Sequence, residues 1–271
     1  NCIPQWLTYS DPNHLNYHYI HSFTLDRESN LVITGRRYNS HDFDPITMKF
    51  SPEGEVLWVS ILEGNSNDEI PKGIGVDLDN NIYIVGEQNN AFLLKYDADG
   101  QLIRRVNYTV LGTSQGDVMG SVVSDQGISY VMGTTGIREE SDLYIGVIDS
   151  VFSTIVEDRY NFGSMSFSTM SGMVVDTQKN AIVVGTDSTR DHVSNFLTIK
   201  YDESGSELWR QSFNPGDVTE SQISAIGIDE NNNPVIAGYV EDSSSVISTI
   251  LLKYSSTGEL IFTSSVPLVD V

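Results

Sequence analysis

The sequence is poor in cysteine, proline, positive charge and continuous apolar segments. Cys2 is the only cysteine among 271 residues. No internal disulfide framework and no cysteine-built metal centre can therefore form. Cys2 follows Asn1, one place too late for a lipid-bearing first residue, and is read as a free terminal thiol. Basic residues number 15 against 37 acidic ones, a net charge of −22. A chain so short of Lys and Arg will not neutralise nucleic-acid phosphates, nor adhere to an anionic membrane surface. The longest apolar runs, such as Phe92–Leu94 and Ile250–Leu252, fall far short of the ~20 residues of a membrane-spanning helix. No stretch sustains a 3.6-residue apolar period, which argues against an α-helical fold. His-Glu-x-x-His and the Gly-rich phosphate loop are both missing. Hydrophobic residues still make up 39% of the chain and aromatics 10%, enough for a packed core and too much for an acidic disordered tail.

What the sequence does contain is a repeat. Asp26-Arg-Glu-Ser-Asn30-Leu-Val-Ile-Thr-Gly35 returns as Asp77-Leu-Asp-Asn-Asn81-Ile-Tyr-Ile-Val-Gly86, as the shorter Asp125 to Gly133, as Asp176 to Gly185 and as Asp229 to Gly238. The glycines are 51, 47, 52 and 53 residues apart. A second pattern follows each copy: Lys49-Phe50, Lys95-Tyr96, Lys200-Tyr201 and Lys253-Tyr254, each leading into a turn ending at Gly54, Gly100, Gly205 or Gly258. The third copy, Tyr144 to Asp149, lacks both the Lys and the turn Gly. Each unit thus holds four short β-rich runs parted by Asp, Asn and Gly turn signals. In the first run a small residue recurs at Ser22, Gly73, Ser121, Gly172 and Ala225, preceding the apolar Phe23, Ile74, Val122, Met173 and Ile226. Small residues there fit a crowded inner strand.

A four-stranded unit of about 50 residues, repeated, is the pattern of a β-propeller blade. The stretch Pro71-Lys-Gly-Ile-Gly-Val-Asp77 through Gly86, continuing to Lys95-Tyr-Asp-Ala-Asp-Gly100, resembles the NHL and SBBP-type bacterial propeller repeats. The resemblance extends over nearly all of residues 17–266. It implies an all-β propeller of four-stranded blades, and blades of this kind carry scaffolds, binding modules and a few enzymes. The expected blades are 17–62, 70–110, 117–162, 168–214 and 221–266 in one domain, 1–271. Residues 1–12 are expected as an extra outer strand, because Trp6 sits as Trp58 does. Five blades are expected, with part of a six- to eight-bladed propeller as the alternative.

Strand direction alternates within a blade, so the loops joining strands two and three share a face with those joining successive blades. The long, irregular segments, Arg36–Pro45 and Leu62–Pro71 among them, all fall on that face. Irregular loops on a rigid scaffold are where binding resides. The candidate site residues are those at the starts of the inner strands: His21, Glu69, Lys72, Asp117 and Glu220. His14, His18 and His21 are close in sequence, but a strand sends His21 to the face opposite the other two, so no metal site is expected. The Asp77–Asn81 and Asp229–Asn233 segments superficially resemble calcium loops, yet five residues are too few for the twelve-residue ligand pattern. Their Asp and Asn are read as caps on backbone groups. No cofactor is expected, with calcium the one alternative. Lys49, Lys95, Lys200 and Lys253 recur at one position per unit and are read as a structural device, pairing with a turn Asp.

The expected function is that of a secreted or cell-surface, non-enzymatic binding module, located extracellularly, in the periplasm or on a bacterial surface. It would engage a protein or carbohydrate through the loop face, as a monomer. The alternatives are a propeller hydrolase or lyase using Glu69, Asp117, Glu220 and His21 as acid and base groups, and an architectural propeller within a larger surface protein. The acidity spreads over both loop rims while the basic surplus lies on the strands, so the charge reads as a solubility feature and not a site.

Overall fold

The computed structural model describes residues 18–63, 67–88, 90–108, 116–124, 126–135, 142–160, 167–188, 194–216 and 218–267. The extra strand expected at 1–12 lies outside the described residues. The described chain is all β, in five four-stranded antiparallel sheets. The first is β1 (His18–Leu25), β2 (Leu31–Tyr38), β3 (Phe43–Phe50) and β4 (Val56–Ile61). The second is β5 (Ile70–Val76), β6 (Ile82–Gln88), β7 (Asn90–Tyr96) and β8 (Leu102–Tyr108). The third is β9 (Gly116–Val123), β10 (Ser129–Thr135), β11 (Asp142–Ile148) and β12 (Thr154–Tyr160). The fourth is β13 (Phe167–Val175), β14 (Ala181–Ser188), β15 (Ser194–Tyr201) and β16 (Glu207–Phe213). The fifth is β17 (Val218–Ile228), β18 (Pro234–Asp242), β19 (Ile247–Tyr254) and β20 (Leu260–Pro267). Within each sheet the strands follow chain order, each pairing with the next.

The chain divides into two compact units. One comprises Asn1–Ser114, Ser121–Ser129 and Asp149–Phe152, and the other Gln115–Gly120, Tyr130–Ile148 and Ser153–Val271. In the first unit, Val32 joins Ile74, Ile82, Ile84, Phe92, Leu94 and Tyr96 in one apolar cluster, with Trp58 against its edge. In the second, Met132, Ile145, Met170, Val183, Leu197, Ile199 and Tyr201 form one cluster. Val184 and Phe196 pack with Ile223, Ile236, Ile250, Leu252 and Tyr254 in another. Both faces of β6 and β14 are buried between neighbouring sheets, so these strands read as continuous Ile-Val runs and not as alternations.

The tight turns explain the repeated Asp and Asn. The Asp77 Oδ1 accepts hydrogen bonds from the Asp79 N–H (3.0 Å) and the Asn81 N–H (2.8 Å), and its Oδ2 accepts from Asn81 Nδ2 (2.9 Å). Asp26, Asp176 and Asp229 hold their turns the same way. The fourth residue of each turn, Ser29, Asn80, Lys179 or Asn232, takes a φ of 60–68°. In the third sheet, Phe152 occupies the place of the missing turn glycine at φ 63°. That conformation is costly for an aromatic residue. Its ring packs edge-on to Tyr83 at 6.1 Å, which offsets the cost.

The recurring lysines sit inside this framework. Lys49, Lys200 and Lys253 each place Nζ 2.8 Å from the turn carboxylate of their own sheet, Asp26, Asp176 and Asp229. In the second sheet the Tyr83 hydroxyl donates to Asp77 Oδ2 instead (2.9 Å), and Lys95 lies over the Tyr83 ring at 4.8 Å. The expected pairing with a turn Asp is thus seen for Lys49, Lys200 and Lys253, while Lys95 lies over Tyr83.

Candidate ligand-binding site

The inner strands share an irregularity that sets the site. In β1 the pairing slips between Ile20 and Ser22, in β5 between Pro71 and Gly73, in β13 between Met170 and Gly172, and in β17 between Ile223 and Ala225. The extra residue of each bulge is His21, Lys72, Ser171 or Ser224. A bulge re-aims the unpaired residue out of the regular pleat. The repeat glycine lies opposite: Ile20 pairs with Gly35, Pro71 with Gly86, Met170 with Gly185 and Ile223 with Gly238. A Cβ at Gly35 would come 2.0 Å from the Tyr19 carbonyl oxygen, and one at Gly238 2.3 Å from that of Gln222. In these four sheets the glycine that ends the repeat thus marks where the inner strand bulges.

In the first unit, two bulge residues meet a third cationic group. Arg36, the β2 residue after Gly35, lies over the rings of Tyr19 at 5.0 Å and Phe43 at 4.4 Å. These two rings meet edge to face at 5.9 Å. Arg36 carries no ion pair among the described residues, and its Nε is buried without a hydrogen-bond partner there. His21 is held below its ordinary pKa, first by partial burial and then by the positive charges of Arg36 and Lys72. Lys72 makes a 3.3 Å ion pair with Glu87. Three basic side chains therefore converge with one carboxylate facing them. Such an arrangement favours an anionic ligand, which would meet the guanidinium's donors and relieve the repulsion.

The acidic candidates are disposed otherwise. Glu69, expected as a ligand-binding residue at the channel mouth, is 2% exposed and paired with Arg105, whose Nη2 also donates to Gln88 Oε1 (3.3 Å). Its backbone N–H donates to the Phe43 carbonyl (2.9 Å), which pins the loop between β4 and β5 onto β3. Burying a carboxylate at this point requires the guanidinium, so Glu69 is a structural anchor. Glu220 lies within β17, not before it, and accepts the Tyr239 hydroxyl proton at 2.7 Å. Gln222 accepts the same hydroxyl at 3.1 Å. The bond to Glu220 pushes the Tyr239 phenol above its usual range. Asp117 lies within β9, and its side chain falls outside the described residues.

Of the five sequence candidates, the structure brings His21 and Lys72 together and leaves Glu69 and Glu220 in separate ion-pair and hydrogen-bond networks. Arg36 is the residue that sequence reasoning missed. The segment Arg36–Pro45 reads as an irregular loop, but β2 runs on through Tyr38 and β3 begins at Phe43. The turn between them is closed by Asn39, whose Oδ1 accepts from the His41 and Asp42 N–H groups. The available signal was Arg36-Arg37 directly after the repeat glycine. Arg37 finds Glu63 (2.7 Å) and Asp44 (3.4 Å), and Arg36 finds aromatic rings. Among the described residues, no three His, Cys, Asp or Glu side chains converge to hold a metal ion.

Residues 57–91 match the family model of the SBBP beta-propeller repeat. No curated protein matches the chain. Among solved structures, the chain is similar to a protein of unknown function from Bacteroides caccae, with 9% identity and a TM-score of 0.54 over 92% of this chain and 82% of that one. It is also similar to Drosophila Plexin A, solved in complex with Semaphorin 1b, at 8% identity and a TM-score of 0.53. That match covers 88% of this chain and 53% of Plexin A, so the chain spans about half the length of that relative. A third likeness is to a PL25 ulvan lyase bound to a GlcA–Rha3S saccharide, at 11% identity and a TM-score of 0.52, over 89% of this chain and 69% of that one. Likenesses at these identities carry the fold alone: an all-β propeller of four-stranded blades.

Proposed function

We propose that this chain is a non-enzymatic propeller binding module that holds an anionic group of a protein or glycan ligand on its first two blades. The observation that carries the reading is Arg36, a guanidinium with no carboxylate partner among the described residues, laid on Tyr19 and Phe43 beside the bulged His21 and Lys72. A guanidinium presents a planar fork of donors suited to a carboxylate or sulfate, and the exposed Tyr19 ring offers an apolar floor beside it. Acid–base catalysis is less well supported, because Glu69 is committed to Arg105 and Glu220 to Tyr239. The chain's acidic character belongs with a secreted, periplasmic or surface setting in this reading, where like charge keeps it soluble. The ligand class rests on the cluster and not on the structural relatives.

Calorimetric titration with an oligogalacturonate, beside a neutral oligosaccharide of equal length, tests this. The acidic saccharide is expected to bind and the neutral one not to. Replacing Arg36 by Ala is expected to weaken binding by about tenfold to a hundredfold, the worth of a charge-assisted hydrogen bond. Equal binding of both saccharides, or an unchanged affinity in Arg36→Ala, would contradict the reading.

A second reading, an architectural propeller within a larger surface assembly, is favoured by the broad apolar surface that the first and fifth sheets expose.

A further inference from the structure

Two side chains recur at one point of the four bulged sheets: the bulge residue of the inner strand and the residue after the repeat glycine. In the second sheet they are Lys72 and Glu87, which make a 3.3 Å ion pair. In the fourth they are Ser171 and Thr186, and in the fifth Ser224 and Tyr239, neither of them a charged pair. In the first they are His21 and Arg36, and these two repel: after partial burial, the guanidinium charge is the next cause that lowers the His21 pKa. The position that neutralises itself in the second sheet thus carries charge of one sign in the first.

The two sheets share that charge. Lys72 is near enough to His21 to lower its pKa as well, while its Nζ reaches Glu87 Oε2. The Lys72 and Glu87 side chains are 29% and 26% exposed, so each still presents part of itself to a ligand. The other charges around the site are engaged elsewhere. Arg37 holds Asp44 and Glu63, Arg105 holds Glu69, and Asp68 Oδ1 accepts the Phe43 N–H at 3.1 Å. When the imidazole is neutral, Arg36 and Lys72 supply the positive charge of the cluster, and Glu87 cancels half of it.

We infer, building on the anion-binding reading above, that Glu87 sets the charge of the group this site accepts: a singly charged oxyanion, carboxylate or sulfate ester, in preference to a doubly charged phosphate monoester. The first negative charge meets the donor fork of Arg36. A second finds Lys72 already held by Glu87, faces that carboxylate, and enters the field of a chain of net charge −22. Arg36 attracts both kinds of anion, and Glu87 tells them apart by repulsion. Glu87 is thus a specificity-determining residue, and its charge is the property that matters.

The sulfate and phosphate monoesters of galactose test this, because they share a tetrahedral shape and differ by one charge once the phosphate has lost its second proton, at a pKa of about 6. Titrations followed by protein NMR at about pH 8, where an ordinary imidazole is neutral, set them beside galacturonate and neutral galactose. The unmodified chain is expected to bind galacturonate and the sulfate ester, each more tightly than the phosphate ester, and not to bind galactose. Whichever of the first two binds better identifies the oxyanion, and either one outcompeting the phosphate ester supports the inference. Glu87→Gln keeps the size of the side chain and removes its charge. It is expected to raise the affinity of the phosphate ester relative to the sulfate ester by about twofold to fivefold, the scale of a partly solvated charge pair, and added salt is expected to shrink that gain. Lys72→Gln removes the cation and is expected to move the ratio the other way, which keeps the test decisive should Glu87→Gln fail to fold. A phosphate ester that binds the unmodified chain most tightly, or an affinity ratio unchanged in both variants, overturns the inference and leaves the anion site standing. Binding of neither galacturonate nor the sulfate ester overturns the site itself, and the inference with it.

Discussion

At the scale of single residues, a buried charge decides more than an exposed one. Lys200 and Asp176 are almost wholly buried and 2.8 Å apart, while Lys253 and Asp229 make the same pair with a quarter of each side chain in water. Removing one partner of a buried pair strands a charge at about 3–5 kcal/mol, whereas a solvated pair contributes far less. Lys200→Ala is therefore expected to lower the thermal midpoint far more than Lys253→Ala, with calorimetry as the check. Similar losses in the two variants would mean that the framework does not depend on burial. His21 gives the second prediction at this scale. Burial and the charges of Arg36 and Lys72 lower its pKa, and an anion bound beside it would raise it again. Ligand affinity is then expected to rise as pH falls from neutral, with one proton taken up per ligand.

At the scale of strands and turns, the bulge and its opposing glycine form one device. A methyl group at Gly35 or Gly238 would collide with the carbonyl across the ladder, and backbone is less able to give way than a flexible side chain. Gly238→Ala is expected to cost on the order of 1–3 kcal/mol, as overpacking does. The loss should appear in hydrogen exchange as earlier opening of the β17–β18 pair. The repeat, its turns and its four strands were legible in the sequence because each rests on a residue type that physics demands at one place. Asp caps backbone N–H groups, Gly54, Gly100 and Gly258 take positive φ, and Lys pairs with Asp. The bulge residues were less legible, since a residue turned out of the ladder is free to vary: His21, Lys72, Ser171 and Ser224 share no chemistry. Only the invariant glycine opposite points to them. Arg36 was hidden because an Arg pair after a strand reads as solvated loop, and nothing in the sequence says that Tyr19 and Phe43 come beneath one of the two. The Glu69 pairing was hidden for the opposite reason, because a carboxylate 36 residues before its Arg105 partner looks unpaired.

At the scale of the molecule, the paired carboxylates and buried phenols set a window of stability in pH. Burial alone would raise the Asp26 and Asp176 carboxyls, but hydrogen bonds from Lys49 and Asn30, and from Lys200 and Asn180, outweigh it and hold both below the usual range. Their folded-state pKa values are depressed, so their contribution is complete above the unfolded value of about 4 and is lost as pH falls below it. Burial pushes the Tyr254 phenol up to about 12 and raises those of Tyr83, Tyr130 and Tyr144 as well. That contribution is present below the ordinary value of about 10 and is lost as pH climbs past it. The melting temperature is expected to be level between these limits and to fall on both sides. A midpoint still rising below pH 4 would contradict the pairing seen here. A net charge of −22 also sharpens what the basic cluster means. On so acidic a surface, Arg36 carries no ion pair among the described residues and lies on aromatic rings instead, and the proposed function rests on it. The most direct measurement is a proton NMR titration of the histidine rings with and without oligogalacturonate. The account predicts that the ligand raises the pKa of His21 and shifts its ring signals, and that Arg36→Ala abolishes both effects. A saccharide that binds while leaving the His21 titration curve unmoved would place the ligand elsewhere and contradict the site.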